Sequence, residues 1–179
     1  MENKTMRTQL IIRRAHPDEY QEIGQLMVQV YSNLDGFPKP DERPRYYKLL
    51  ANVGDLTAKP QAELLAAVST EGIILGAVVY FGDMQYYGSG GTATKEKNAG
   101  GFRLLAVNPE ARGQGVGKLL INACIDKARE TKREQVVIHT TKAMQTAWKM
   151  YEKLGFERSD DLDFEQEGLE VFGFRLELS

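Results

Sequence analysis

The sequence is poor in the residues that most often announce a site: among its 179 residues there is one cysteine, one tryptophan and two histidines. A lone cysteine excludes an intramolecular disulfide and a cysteine metal cluster, and no metal is expected. Cys124 stands between Ala123 and Ile125 in an apolar helical stretch. Its expected role is packing rather than reactivity. Charge surplus is missing as well, since 23 lysines and arginines face 25 acids for a net charge of -2. That balance argues against nucleic acid or an anionic membrane as partner. Arg112, Lys118, Lys127, Arg129, Lys132 and Arg133 cluster in sequence, and beyond Lys118 they read as a solvated helix face. Long apolar runs are also absent. Met1 to Arg7 is polar and lacks the apolar region of a signal peptide, and stretches such as Ile73 to Phe81 fall far short of a membrane span. A cytoplasmic protein is the expectation. With 42% hydrophobic residues, no repeat and no linker, the chain reads as one domain over residues 1–179.

What the sequence does hold is a regular succession of elements. Leu10 to Ile12 reads as a short strand, and Pro17, Asp18 and Glu19 then open a helix running to about Ser32, with Tyr20, Ile23, Met27, Val30 and Tyr31 at helical spacing. His16 reads as a capping or surface histidine. Gly36, Pro38 and Pro40 make Asn33 to Asp41 a loop, and Arg43 to Leu50 follows as a second helix. Glu63 to Ser69 and Ile73 to Phe81 flank a short glycine turn and read as an antiparallel hairpin, with Gly76 marking a bulge or a close approach. A polar excursion from Gly82 to Gly100 precedes the strand Gly101 to Val107; either a mobile flap or a disordered hairpin tip would suit it. A helix from Lys118 to about Thr131, burying Leu119, Leu120, Ala123, Cys124 and Ala128 with Ile125 and Ile121 as further candidates, leads to the strand Gln135 to Thr141, so the two strands are parallel. A helix from Ala143 to Leu154 stops at Gly155, and Phe156 to Phe164 and Val171 to Leu178 close the chain as two strands. The fold predicted is α/β, a mixed, mainly antiparallel sheet with one central parallel pair and about four flanking helices.

The most informative stretch is Arg112-Gly113-Gln114-Gly115-Val116-Gly117, placed between an apolar strand and a helix. Glycines at alternate positions leave backbone N–H groups unshielded, and the first helical turn leaves others without an intrahelical partner. With Arg112 beside it, such a segment attracts a phosphate or pyrophosphate. A Walker loop would need a glycine at Arg112 and a serine or threonine at Leu119. A dinucleotide fingerprint begun at Gly113 would need its third glycine at Lys118, and no acidic residue closes the next strand to hold a ribose. Neither spacing is met.

The pattern that is met is Arg-x-x-Gly-x-Gly after a strand, and Leu105 to Leu120 resembles along its length the coenzyme A pyrophosphate loop of the GNAT N-acetyltransferase superfamily. Tyr151-Glu152-Lys153-Leu154-Gly155-Phe156 resembles that family's second signature. The resemblance covers Gly101 to Phe156 with specificity and the rest by element order. It implies acetyl-CoA as cosubstrate, bound by Leu105, Ala106, Val107, Arg112, Gly113, Gln114, Gly115, Val116, Gly117 and Lys118. It implies a GNAT-like sheet in which the strand before the glycine loop splays from its parallel neighbour, and an acceptor wall formed by the loop that carries Phe37. It further implies direct acetyl transfer to a primary amine, on a small molecule or a protein, by a monomer or homodimer.

In the family the tyrosine protonates the departing thiolate. The chemistry is consistent, because a phenol with pKa near ~10 still holds its proton when a thiol with pKa near ~8.5 leaves. By periodicity alone Tyr151 is a core residue of the helix face. Two departures stand out. Gly101 occupies the position where many members carry a glutamate base, and Met144 replaces a frequent asparagine. His139 and Asp83 are the remaining candidates for a base, with a structural role the more ordinary expectation for His139. The missing glutamate also keeps open a non-catalytic acyl-CoA-binding or regulatory module.

Overall fold

The computed structural model describes residues 9–178. Its strands are β1 (Leu10–Arg14), β2 (Ala62–Ser69), β3 (Ile74–Phe81), β4 (Ala99–Val107), β5 (Gln135–Thr140), β6 (Glu157–Arg158), β7 (Phe164–Gln166) and β8 (Leu169–Glu177). Its helices are α1 (Tyr20–Ser32), α2 (Pro44–Ala51), α3 (Val116–Glu130) and α4 (Gln145–Lys153). The sheet runs β1-β2-β3-β4-β5-β8-β6, with β7 paired to β8. Every pairing is antiparallel except β4 with β5. The α/β architecture expected from the sequence is therefore present.

The sheet is buried on both faces. On one face lie α1 and α2, with Ile23, Met27, Tyr31, Leu50, Ala77, Val79 and Leu104 in a common core. On the other, Val116, Leu120, Ile121, Cys124, Tyr151 and Phe156 pack on Val78, Phe102, Val136 and Phe174. This is why β3 is apolar at every position: both of its sides face protein.

Three expectations are corrected or refined. Leu119 is exposed, not buried, and Ala123 is only half-buried, because the inward stripe of α3 follows the i, i+4, i+8 row of Val116, Leu120, Cys124 and Ala128 with Gly117, Ile121 and Ile125 beside it, and Leu119 and Ala123 fall at its margin. Phe156 to Phe164 is not one strand. After β6 the chain makes a 3-10 turn at Asp160–Leu162, and Leu162 is seated so closely over Gly173 that a Cβ there would lie 2.2 Å from that of Leu162. Asp163 fixes the turn by accepting from the Gly173 N–H at 2.7 Å while paired to Arg158. Nor is the excursion before β4 a disordered tip. Met84, Tyr87 and Ala93 are buried, and Gly90 and Gly91 lie against the ring of Phe164, where side chains would collide with it.

Gly76 serves both of its anticipated purposes. The register between β2 and β3 shifts beside it, and a Cβ would stand 2.8 Å from the Ala106 carbonyl oxygen. His16 caps: its N–H donates to Glu19 at 2.7 Å, and Arg13 on the same carboxylate holds Glu19 at a pKa of about 2.

Candidate functional site

The site begins where the parallel pair comes apart. β4 and β5 pair only from Ala99 to Gly101 against Gln135 to Val137, so beyond Gly101 that edge of β4 has no strand partner. On its other edge, Arg103 pairs with Val79 but Ala106 with Ala77, three steps on β4 against two on β3. The extra residue is a bulge, and Leu104 within it has φ +61°, a conformation that costs an ordinary side chain about 1–2 kcal/mol. The bulge redirects β4 away from β5. Leu105, Ala106 and Val107 thus lie on a stretch of β4 whose edge toward β5 is unpaired.

The glycine loop follows directly. Asn108 caps a 3-10 turn at Pro109–Ala111, after which Gly113 and Gly115 take φ +80° and +79°, values suited to glycine. Gly115 is the N-cap of α3. Among the described residues, the backbone N–H groups from Gly113 through Lys118 have no hydrogen-bond acceptor. Nothing lies within 4 Å of where a Cβ would stand on Gly113 or Gly115, whereas one on Gly117 would touch Met150 at 3.3 Å and Val107 at 3.6 Å. Gly117 therefore fastens the loop to β4 and α4, and the other two glycines leave it open outward. Arg112 and Lys118 are exposed and carry no salt bridge among the described residues. A row of free amides at a helix N-terminus with two free cations fits a pyrophosphate.

Tyr151 sits on α4, buried among aromatic rings. Its ring packs against Phe102 at 5.9 Å, Phe156 at 5.8 Å and Phe174 at 6.4 Å. Burial pushes its phenol pKa up, with repulsion from Tyr87 and Cys124 adding to it, and among the described residues the hydroxyl makes no hydrogen bond. Burial above all, and secondarily Tyr46 and Tyr151, raise the phenol pKa of Tyr31 on the opposite face.

On the α1 and α2 side the lining is aromatic. Tyr31 donates to the Leu105 carbonyl at 3.0 Å, and Tyr31, Phe37 and Tyr46 form a cluster with ring separations of 5.6 to 6.2 Å. Phe37 is both anchor and wall, since it also lines a groove of about 590 Å³ with Pro38, Glu42, Arg43, Glu167 and Gly168. Arg103, whose guanidinium lies 5.8 Å from the centre of the Tyr87 ring, had no place in the sequence reading. The signal was there: it is the one charge in the apolar run Phe102 to Val107.

The candidates for a base fare poorly. Asp83 accepts from the Gln85 N–H and caps a turn. His139 is held at both nitrogens, 3.1 Å from the Tyr87 hydroxyl and 2.9 Å from the Leu162 carbonyl. A carbonyl only accepts, so Nε2 carries the proton and Nδ1 receives the Tyr87 hydrogen. Burial, and secondarily the Arg103 charge, push its pKa down despite the Leu162 bond. It is the satisfied structural histidine that was the more ordinary expectation. At Gly101 a glutamate has no room, because a Cβ would lie 2.7 Å from both Met84 Sδ and the Val137 carbonyl oxygen.

The sequence matches the acetyltransferase (GNAT) family over residues 25–156. No curated protein matches it. Among solved structures, a GNAT acetyltransferase from Staphylococcus aureus Mu50 superposes with a TM-score of 0.73 at 15% identity, covering 96% of this chain and all of that one. A spermidine N-acetyltransferase SpeG chimera from Vibrio cholerae and hSSAT gives 0.67 at 16% identity, with coverage of 94% and 95%. The Salmonella typhimurium protein yncA, solved with its cofactor acetyl-CoA, gives 0.63 at 18%, with coverage of 96% and 95%. The identities are low enough that these likenesses speak for the fold, and the family match carries the assignment. With a split parallel pair, a glycine loop of open amides and a sequence match spanning most of its length, this chain belongs to the GNAT family of acetyltransferases.

Proposed function

We propose that this protein is an N-acetyltransferase that uses acetyl-CoA and passes the acetyl group directly to a primary amine. The observation that carries the proposal is the unbroken row of unpartnered amides from Gly113 to Lys118 beside the unpaired edge of β4. In this reading the amides, with Arg112 and Lys118, hold the pyrophosphate, and Leu105 to Val107 receive the pantetheine arm along the strand edge. Acetyl-CoA supplies an acyl group already activated as a thioester. The amine lone pair forms the new C–N bond as the C–S bond breaks, the sulfur takes its proton from the Tyr151 hydroxyl, and the proton lost by the amine returns through solvent to the Tyr151 phenolate.

Desolvation suits Tyr151 to that role. A phenol with a raised pKa keeps its proton until a strong enough base, the departing thiolate, is beside it. Three nearby carboxylates are otherwise engaged: Asp83 is a cap, Asp163 is paired to Arg158, and Glu96 is paired to Arg175. In this reading the acceptor reacts from its neutral form. An amine acceptor agrees with the spermidine N-acetyltransferase chimera and with a ribosomal-protein-alanine N-acetyltransferase from Brucella melitensis, which has a TM-score of 0.65 at 19% identity.

Release of free thiol from acetyl-CoA, measured across an amine panel, tests the proposal. Amine-dependent release that rises with pH, as neutral amine accumulates, is the expected result. Tight coenzyme A binding with no amine-dependent release would favour a non-catalytic acyl-CoA-binding module instead, the reading to which the closed position at Gly101 lends support.

A further inference from the structure

The half-buried guanidinium of Arg103 is a charge that only one of its nitrogens ties into the fold. Arg13, Arg43, Arg158 and Arg175 each hold a carboxylate. Arg103 holds none among the described residues. One of its terminal nitrogens, Nη1, donates to the Tyr87 carbonyl at 2.9 Å and the Gly88 carbonyl at 3.1 Å. Nε and Nη2 have no acceptor.

Its setting is specific. Arg103 lies on β4 just past the point where β5 departs, and its charge is felt by Tyr31 on α1, Tyr46 on α2, Tyr87 in the preceding excursion and His139 on β5. Desolvation raises the pKa of all three tyrosines. Two N–H donors on adjacent nitrogens of a guanidinium match the two oxygens of a carboxylate. One positive charge balances one carboxylate and falls short of a phosphate dianion.

We infer that Arg103 reads a carboxylate on the acceptor, and that the substrate class is an amine that also bears a carboxyl group. The inference rests on the acetyltransferase reading above and narrows it. Arg103 would act as a specificity-determining residue: it anchors the acceptor's acid end so that its amine points toward the unpaired edge of β4.

The experiment compares matched pairs with the full-length protein: α-, β- and γ-amino acids against the amines left when their carboxyl group is removed. Thiol release from acetyl-CoA should give kcat/KM about ten- to a hundredfold higher for the carboxylated member of a pair, expressed mainly in KM, as expected for hydrogen bonds to a charged group. Arg103→Gln should collapse that ratio toward one, and Arg103→Lys should keep part of it. The variant also loses the bonds to Tyr87 and Gly88, so its stabilisation by acetyl-CoA is measured alongside to show that the fold stands. A purely structural arginine would lower both members of a pair together. Equal use of both members by the unmodified protein, or a preference that survives Arg103→Gln, overturns the inference and leaves the acetyltransferase assignment intact. If no amine releases thiol, that assignment fails separately, and the pocket is then read by binding: stabilisation by the amino acids but not by the matched amines, lost in Arg103→Gln, upholds it, and equal or absent stabilisation overturns it.

Discussion

The coenzyme site and the acceptor site proposed above are built by different means. On the coenzyme side the recognising groups would be backbone amides, and the sequence has only to keep side chains away and bend the chain, which Gly113 and Gly115 do. On the acceptor side they would be side chains brought from separated segments, Tyr31, Tyr46 and Arg103. The first is exposed and requires no particular residue beyond glycine at its tightest points. The second requires particular residues at each place. Recognition of an invariant cosubstrate can rest on the main chain, whereas selection among acceptors has to rest on side chains that can change one at a time.

That contrast is broken most severely at Gly115. Gly115→Val puts a β-branched residue at φ +79° and a side chain where the pyrophosphate approaches. Coenzyme A affinity should fall by more than about a hundredfold, the loss of two or more charge-assisted bonds. Stability should fall by only about 1–2 kcal/mol, since no atom lies within 4 Å of that position to clash. Calorimetric titration and urea unfolding separate the two effects; unchanged coenzyme affinity would remove the loop from the account.

Tyr151→Phe sharpens the boundary between holding and reacting. Among the described residues the hydroxyl makes no hydrogen bond, so its loss should leave affinity unchanged and lower kcat by about a hundredfold or more, the usual range for a general acid. Full turnover in that variant would return Tyr151 to the role of a core residue.

Arg112→Gln should cost about tenfold in coenzyme affinity, the low end for a charge-assisted bond because the group is exposed, and the penalty should shrink as salt is added. A salt-independent penalty would mean that Arg112 acts through the loop's conformation rather than its charge.

The smallest effect is expected at His139. Its folded pKa lies below the ordinary 6.5 because of burial, so the unfolded chain takes up the proton first. Stability should therefore decline as pH falls through 6.5 toward the folded value, and His139→Gln should lack that decline in unfolding midpoints measured at pH 7.5 and 5.5. The acid limb of the rate profile should persist in the variant. Its disappearance would identify His139 as the base after all.

The same division explains what could be read in advance. The glycine loop, the helix after it and the parallel pair are encoded within one continuous stretch, Gly101 to Thr140, and local pattern is enough to see them. The bulge at Leu104 leaves no mark, because the residue is an ordinary apolar one forced into a left-handed conformation by its neighbours. Leu119 was misplaced because Leu119 and Leu120 are equally apolar and only the spacing to Val116, Cys124 and Ala128 shows which one faces inward. The final strand expectation failed because Asp163 satisfies a β8 amide from its side chain and so breaks the pairing of its own backbone. Tyr87 and Arg103 meet only through the folded excursion, and no spacing in the sequence announces that contact.

The most direct test is thermal unfolding of the protein with acetyl-CoA, coenzyme A, ATP and NAD in parallel. A ligand at a hundred times its dissociation constant stabilises the folded state by about 2.7 kcal/mol. Selective stabilisation by the two coenzyme A species is the predicted result. No shift from them, or a larger one from ATP or NAD, would contradict the assignment of the open amides to the coenzyme and with it the acetyltransferase mechanism.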